Sequence, residues 1–206
     1  MMNDDFKNKN GTESLNSPYS HLSSTFAGKD LKEGDNQYTL SDAEPLIKKL
    51  KSKLRESQTG ARLLDVAESR GLKIHLIKSK KLQSATTPKM ELFLAAEEKQ
   101  TEPYMIQILE FGGALREIEQ LLLGYRIPDD GADPLERANI AHTKFLDKIV
   151  YMCKIGLDLE VLYSDDVKKA IDAFGYEDIY NAQKQALGED VVRDIYLEAQ
   201  KSEVSD

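Results

Sequence analysis

Glu110, Arg116, Glu117 and Gln120 bring two carboxylates, a guanidinium and an amide together within about three helical turns. Carboxylates can move protons or hold a cation, a guanidinium clamps an anion, and an amide can orient either. Tyr104, Ile108, Phe111, Leu115, Ile118, Leu122 and Tyr125 recur among them at spacings of four and three, which predicts a helix with one face in a core. Glu110, Gly113, Glu117 and Gln120 fall on the other side. One packed face and one face open to a cleft is the geometry that a site helix needs. Gly112 and Gly113 each cost such a helix about 1 kcal/mol relative to Ala. Either another backbone packs closely there or a cleft opens there, and the reading favours the cleft.

Other chemistries find less support. His75 and His142 are the only imidazoles in segments expected to be ordered, and they stand too far apart in sequence for a His-x-x-x-His pair. They read as partly exposed or core-edge side chains. Cys153 sits among Ile149, Val150, Met152 and Ile155 with no neighbouring cation, as an inert core thiol does. A single cysteine leaves no internal disulfide and fits a reducing compartment. The sequence contains no glycine-rich phosphate loop and no nucleophile elbow. Gly112 and Gly113 lie inside a helical pattern rather than between strand and helix.

The elements that must position the charged face follow from local signals. Ser41 and Glu44 form a capping-box pattern before a first helix over 41–55, with Leu46, Ile47, Leu50 and Leu54 inside. A second helix covers 59–70, with Leu63, Leu64, Val66 and Ala67 inside and Gly71 as its stop. Residues 73–78 and 90–95 read as strands, joined through a turn-rich connection at 84–88. The third helix opens near Pro103 and stops at Gly124, and a loop follows at 128–131. Asp133 and Glu136 begin a long fourth helix to about residue 156, with Ala138, Ala141, Phe145, Ile149 and Met152 buried. Helices starting at Ser164, separated by Gly175 and Gly188 and ending with 189–200, complete the chain.

The stretch around Glu117 also fits a known frame. In a zinc-peptidase helix reading small-His-Glu-Leu-Arg-His-x-x-Gln, two imidazoles one turn apart bind the ion and the Glu is the general base. Leu115, Arg116 and Gln120 keep that frame; Gly113 and Glu117 stand at the two His positions and Ala114 at that of the Glu. With Thr59-Gly-Ala-Arg-Leu-Leu64, Gly71-Leu-Lys-Ile74 and Glu136-Arg-Ala-Asn-Ile140, the order of elements over 60–159 resembles a family of proteobacterial zincin-like metallopeptidase domains. In that family a glycine- and leucine-rich helix precedes an isoleucine-rich strand, the ligand helix and a helix with a third-ligand motif. The resemblance implies a degenerate site at Gly113, Ala114, Glu117 and Arg137. Glycine has no ligand atom, alanine has no carboxylate, and Arg137, at the third-ligand position, repels a metal ion. No catalytic residue, metal or cofactor is therefore expected. Glu110, Arg116, Glu117, Gln120 and Arg137 become candidates for cleft or ion-pair residues. Glu117 and Arg137 are candidates for an ion pair across the space that a metal would fill, with two ordinary surface charges as the alternative.

The 206 residues suffice for one ordinary domain with tails, and 40% apolar content for its core. Residues 1–40 carry only scattered apolar groups among Asn, Ser, Asp and Lys, and read as a disordered tail. Net charge is −8; residues 158–206 hold 13 acidic and 5 basic side chains, which match that whole excess. Nucleic acid is not an expected partner, and the run Lys48, Lys49, Lys51, Lys53 and Arg55 reads as a solvated helix surface. No apolar run is long enough for a membrane span and no signal peptide is seen, so a cytoplasmic location is expected.

The expected fold is α+β and mostly helical, with a small sheet against the site helix. A tail over 1–40, a zincin-like domain over 41–160 and an acidic helical extension over 161–206 are expected. The expected function is a non-catalytic metallopeptidase-like domain that binds a peptide or protein. A metal-dependent peptidase with other ligands and a helical adaptor unrelated to peptidases are the alternatives.

Overall fold

The computed structural model describes residues 40–78, 84–127, 131 and 133–185, without the side chains of 40–42. Residues 1–39 of the expected tail, Gly188, the helix at 189–200 and most of the loop at 128–131 lie outside these residues; Leu40, expected in the tail, opens the first helix. The elements are α1 (Leu40–Leu54), α2 (Gln58–Glu68), β1 (Lys73–Ile77), β2 (Ser84–Thr86), β3 (Glu91–Ala95), α3 (Met105–Leu122), α4 (Pro134–Phe174) and α5 (Glu177–Lys184). The fold is α+β and mostly helical.

Polar caps and left-handed glycines set the helix ends. Ser57 caps α2, its hydroxyl accepting from the Gly60 amide at 3.0 Å. Asp133 caps α4 by accepting from the Leu135 amide at 3.0 Å. Gly71, Gly124 and Gly175 all have positive φ, and the following amide in each case reaches back five residues, closing the helix end. At the start of α3 the Gln107 side chain accepts from the Tyr104 amide at 2.9 Å.

The sheet order is β1-β3-β2. Central β3 pairs parallel with β1, Lys73 opposite Glu91, and antiparallel with β2, Ala85 opposite Phe93. The connection expected at 84–88 thus contributes a third strand, because its Ser, Ala and Thr can pair with the apolar β3.

One core cluster joins all five helices to β1 and β3, with α3 at its centre. Ile108, Phe111, Leu115 and Ile118 are buried as the spacing predicts, whereas Tyr104, Leu122 and Tyr125 at the ends of the stripe are exposed. The opposite face is not open. Gly112, Gly113, Ala114, Glu110 and Gln120 are also buried, because α4 lies along that side. A Cβ on Gly112 would come within 2.2 Å of Ile155 Cδ1, and one on Gly113 within 2.8 Å of Met152 Cγ. The glycine pair serves close helix packing, and the expected cleft is filled.

Helix α4 runs well past residue 156, to Phe174, and breaks at Tyr163 (φ −138°, ψ 41°), one residue before the helix start expected at Ser164. The boundary expected at 160/161 therefore falls inside one helix. Val167, Ile171, Ile179 and Tyr180 join the same core as Leu50 and Phe111. Two contacts fix α4 against the α1–α2 turn. Asp158 accepts from the Ser57 hydroxyl (2.7 Å) and the Thr59 amide (2.9 Å). Tyr163 donates to Glu56 (2.6 Å) while Lys53 donates to its hydroxyl and lies 4.3 Å from its ring centroid.

Candidate functional site

The charged groups of α3 meet α4 and β2 in two adjoining clusters. In the first, Lys148 of α4 enters the interface with only 9% of its surface exposed. Its Nζ lies 2.7 Å from Glu110 Oε1, 3.3 Å from Glu117 Oε1 and 3.5 Å from Ser84 Oγ. Ser84 donates to Glu110 at 2.5 Å, and Thr86 donates to Glu117 at 3.3 Å. The two hydroxyls point at the helix because Ser84 and Thr86 are alternate residues of β2 and share one face of the sheet. Burial opposes the ammonium, but Glu110 and then Glu117 outweigh it, so Lys148 is held protonated well above the ordinary lysine range. The Lys144 ammonium, one turn earlier, donates to the Tyr125 carbonyl at 3.0 Å; burial lowers its pKa against the pull of Glu117.

The second cluster lies one turn along α3. Arg116 makes a bidentate contact with Asp147, at 2.5 and 3.1 Å, and a third bond to Glu119 at 2.5 Å. Arg62 of α2 also grips Glu119, with one contact at 3.2 Å and a shorter one beside it. Gln120 donates to Asp147 at 2.6 Å and to the Lys144 carbonyl at 3.1 Å. The Arg116 guanidinium stands 4.1 Å from the Tyr151 ring centroid. Burial would raise the Glu119 carboxyl, but the hydrogen bonds from Arg62 and Arg116 prevail and hold it below the usual carboxylate range. Both clusters are ion-pair networks, the form in which buried charge is tolerated: in the first one ammonium is shared by two carboxylates, and in the second two guanidinium groups meet two carboxylates.

Of the residues singled out from the sequence, Glu110, Arg116, Glu117 and Gln120 do converge on this interface. Gly113 faces the Lys148 Cε and Met152, and Ala114 lies in the core. The cation that meets Glu117 is Lys148. Among the described residues no salt bridge joins Glu117 to Arg137, which sits on the first turn of α4. His75 stacks on Phe93 at 4.9 Å, and burial lowers the pKa of His142. Cys153 is fully buried, which pushes its thiol up to about 12. Among the described residues no group of three or more His, Cys, Asp or Glu side chains is arranged to hold a metal ion. Glu110 and Glu117, the carboxylates nearest the frame, both already bind the Lys148 ammonium, a cation in the place of the ion, so the residues present do not fit the zinc ion of the zincin frame.

Lys148, Asp147, Glu119, Ser84, Thr86 and Arg62 were not singled out from the sequence. A signal for two of them existed. Asp147 and Lys148 interrupt the apolar run Leu146, Ile149, Val150 on the face turned to α3, and a charged pair in such a run needs partners. The basic run of α1 is largely taken up within the chain. Lys49 pairs with Glu102, Lys51 with Glu68, Lys53 with Glu56, and Arg55 with Asp65 and Glu68. No described helix is long and apolar enough to cross a membrane.

Compared with known proteins, the chain matches no family model and has no significant match among curated proteins or solved structures.

Proposed function

We propose that this chain is a non-catalytic, zincin-like domain that binds a protein or peptide, and that an internal ammonium holds its site helix where a metal-bearing relative would use the ion. The observation that carries the reading is the shared neighbour of Gly113 and Glu117. These positions, one turn apart at the two imidazole places of the frame, both face the end of Lys148: Cε lies 2.9 Å from a Cβ built on Gly113, and Nζ 3.3 Å from Glu117. An ammonium with three donors can join carboxylates from two turns of a helix but cannot polarise a carbonyl or activate water as a divalent ion does. Since α4 covers this face of α3, a partner would be taken on the outer surface. The location expected of such a domain is the cytoplasm, with no nucleic-acid or membrane partner.

An adaptor unrelated to peptidases is the second reading. It is favoured by Leu122, Leu123, Tyr125 and Leu135, which are exposed where α3 ends and α4 begins.

Metal analysis of the purified chain, with peptide hydrolysis and peptide-array binding measured on the same sample, separates these readings. Metal-free protein that binds peptides without cleaving them supports the proposal. Stoichiometric zinc with chelator-sensitive hydrolysis would replace it by the peptidase, and metal-free protein blind to peptides would leave the adaptor.

A further inference from the structure

The outer side of α4 is open where α5 ends. Met152, Ile155, Gly156 and Leu159 are buried on its inner side. Tyr151, Lys154, Leu157 and Val161 follow one another at spacings of three, three and four, which puts them on one stripe of the helix. None of the four is buried, and Val161 is 90% exposed, with Leu162 beside it at 61%. Three cations surround the Tyr151 ring: Arg116 at 4.1 Å from its centroid, Lys154 at 4.9 Å and Arg62 at 5.8 Å. An apolar stripe with cations at one end thus stands at the surface of a chain whose net charge is −8.

Helix α5 delivers the rest of the chain to that stripe. Gln183 donates to the Val150 carbonyl at 3.0 Å and Lys184 to Glu160 at 2.6 Å, so the last turn of α5 lies alongside this part of α4. Ala186, Leu187 and Gly188 come next and reach at most about 10 Å. A segment that starts at Glu189 therefore begins beside the stripe. The exposed Leu135 is out of its reach, about 24 Å further along α4 than Tyr151.

Residues 189–200 carry the complement in their sequence. Val191, Val192, Ile195, Tyr196 and Ala199 recur at helical spacing. Asp194 and Glu198, one turn apart, border that apolar face, and residues 186–206 hold six acidic side chains against two basic ones. A helix over 189–200 is about 18 Å long, and the stripe from Tyr151 to Val161 is about 15 Å. So short a helix holds in water only by burying its apolar face.

We infer that residues 189–200 of this chain lie as an amphipathic helix along the outer side of α4. Their apolar face covers Leu157 and Val161, and the edge with Asp194 and Glu198 turns to Lys154 and the cations around Tyr151. The inference goes beyond the function proposed above and stands without it. A partner that uses this side of α4 has to displace the segment, which makes it a built-in competitor.

Hydrogen exchange of the full chain at neutral pH, read by mass spectrometry on peptides covering 191–200, tests this. Amides there should exchange at least about tenfold more slowly than in a free peptide of the same sequence. Val161→Asp and Lys154→Glu, neither of them at a buried position, should each remove most of that protection while the peptides of α3 keep theirs. Asp194→Lys with Glu198→Lys should restore it in the Lys154→Glu chain. Exchange at the free-peptide rate, protection indifferent to both single substitutions, or no rescue in the charge-reversed chain would overturn the inference. Protection that rises with protein concentration would overturn it as well, by giving the stripe to a second copy of the chain.

Discussion

Removing the Lys148 ammonium while Glu110 and Glu117 stay would leave buried negative charge without its counterion. Lys148→Met is therefore expected to destabilise the chain by about 3–5 kcal/mol in urea unfolding. Adding Glu110→Leu should recover a large part of that loss, because the pair is then replaced by apolar groups of similar size. A double variant as unstable as the sum of the two single ones would show that the contact contributes no coupling. Glu119 gives a pH signature of the second cluster. Its folded pKa lies below the unfolded value, so its contribution to stability is complete above the unfolded carboxylate range and is lost as pH falls through the folded pKa. The stability difference between the wild type and Glu119→Gln should accordingly be greatest near neutral pH and shrink on acidification; a difference independent of pH would refute the ionic role. Cys153, buried and with its thiol pushed up to about 12, should react with thiol reagents at neutral pH only as fast as the fold opens.

At the scale of elements, helix α3 is the informative case. A methyl group on Gly112 would improve helix propensity by about 1 kcal/mol, but it would overlap Ile155 Cδ1 in a packed interface. Gly112→Ala should thus destabilise by about 1–3 kcal/mol. Ile155→Val deletes the clashing carbon and should restore part of the loss; no rescue in the double variant would mean that the clash lies elsewhere. The same helix marks how far the sequence could be read. The spacing of Ile108, Phe111, Leu115 and Ile118 made one buried face legible, and Gly71, Gly124 and Gly175 made the helix stops legible, because each signal is local. The second buried face was not legible. Glu110, Glu117 and Gln120 look solvated unless their partners are known, and those partners come from Lys148, Ser84, Thr86 and Asp147, remote in sequence. Strand β2 was missed for a similar reason, since three residues become a strand only beside β3. The break at Tyr163 has no Pro or Gly to announce it, and the groups that hold the Tyr163 hydroxyl, Lys53 of α1 and Glu56 of the turn after it, are remote in sequence.

For the whole molecule, the shared core predicts that residues 161–185 cannot be removed as an appendage. A chain ending at residue 160 loses Val167, Ile171, Ile179 and Tyr180 from the cluster that contains Phe111. It should fail to show a cooperative thermal transition; a sharp melt close to that of the full chain would establish an independent domain over 41–160. The seam between Gly112 and Ile155 also has a consequence in time. Its two sides are made one after the other, and α3 exists before the helix whose Ile155 and Met152 pack over Gly112 and Gly113 and whose Lys148 meets Glu110 and Glu117. At about 5–20 residues per second of synthesis, Ile155 follows Gly112 by roughly two to nine seconds. For that interval the growing chain carries a core whose α4 side is open and whose Glu110 and Glu117 lack their ammonium, so slowing translation between codons 113 and 155 should lengthen its association with chaperones, whereas slowing it after codon 174 should not.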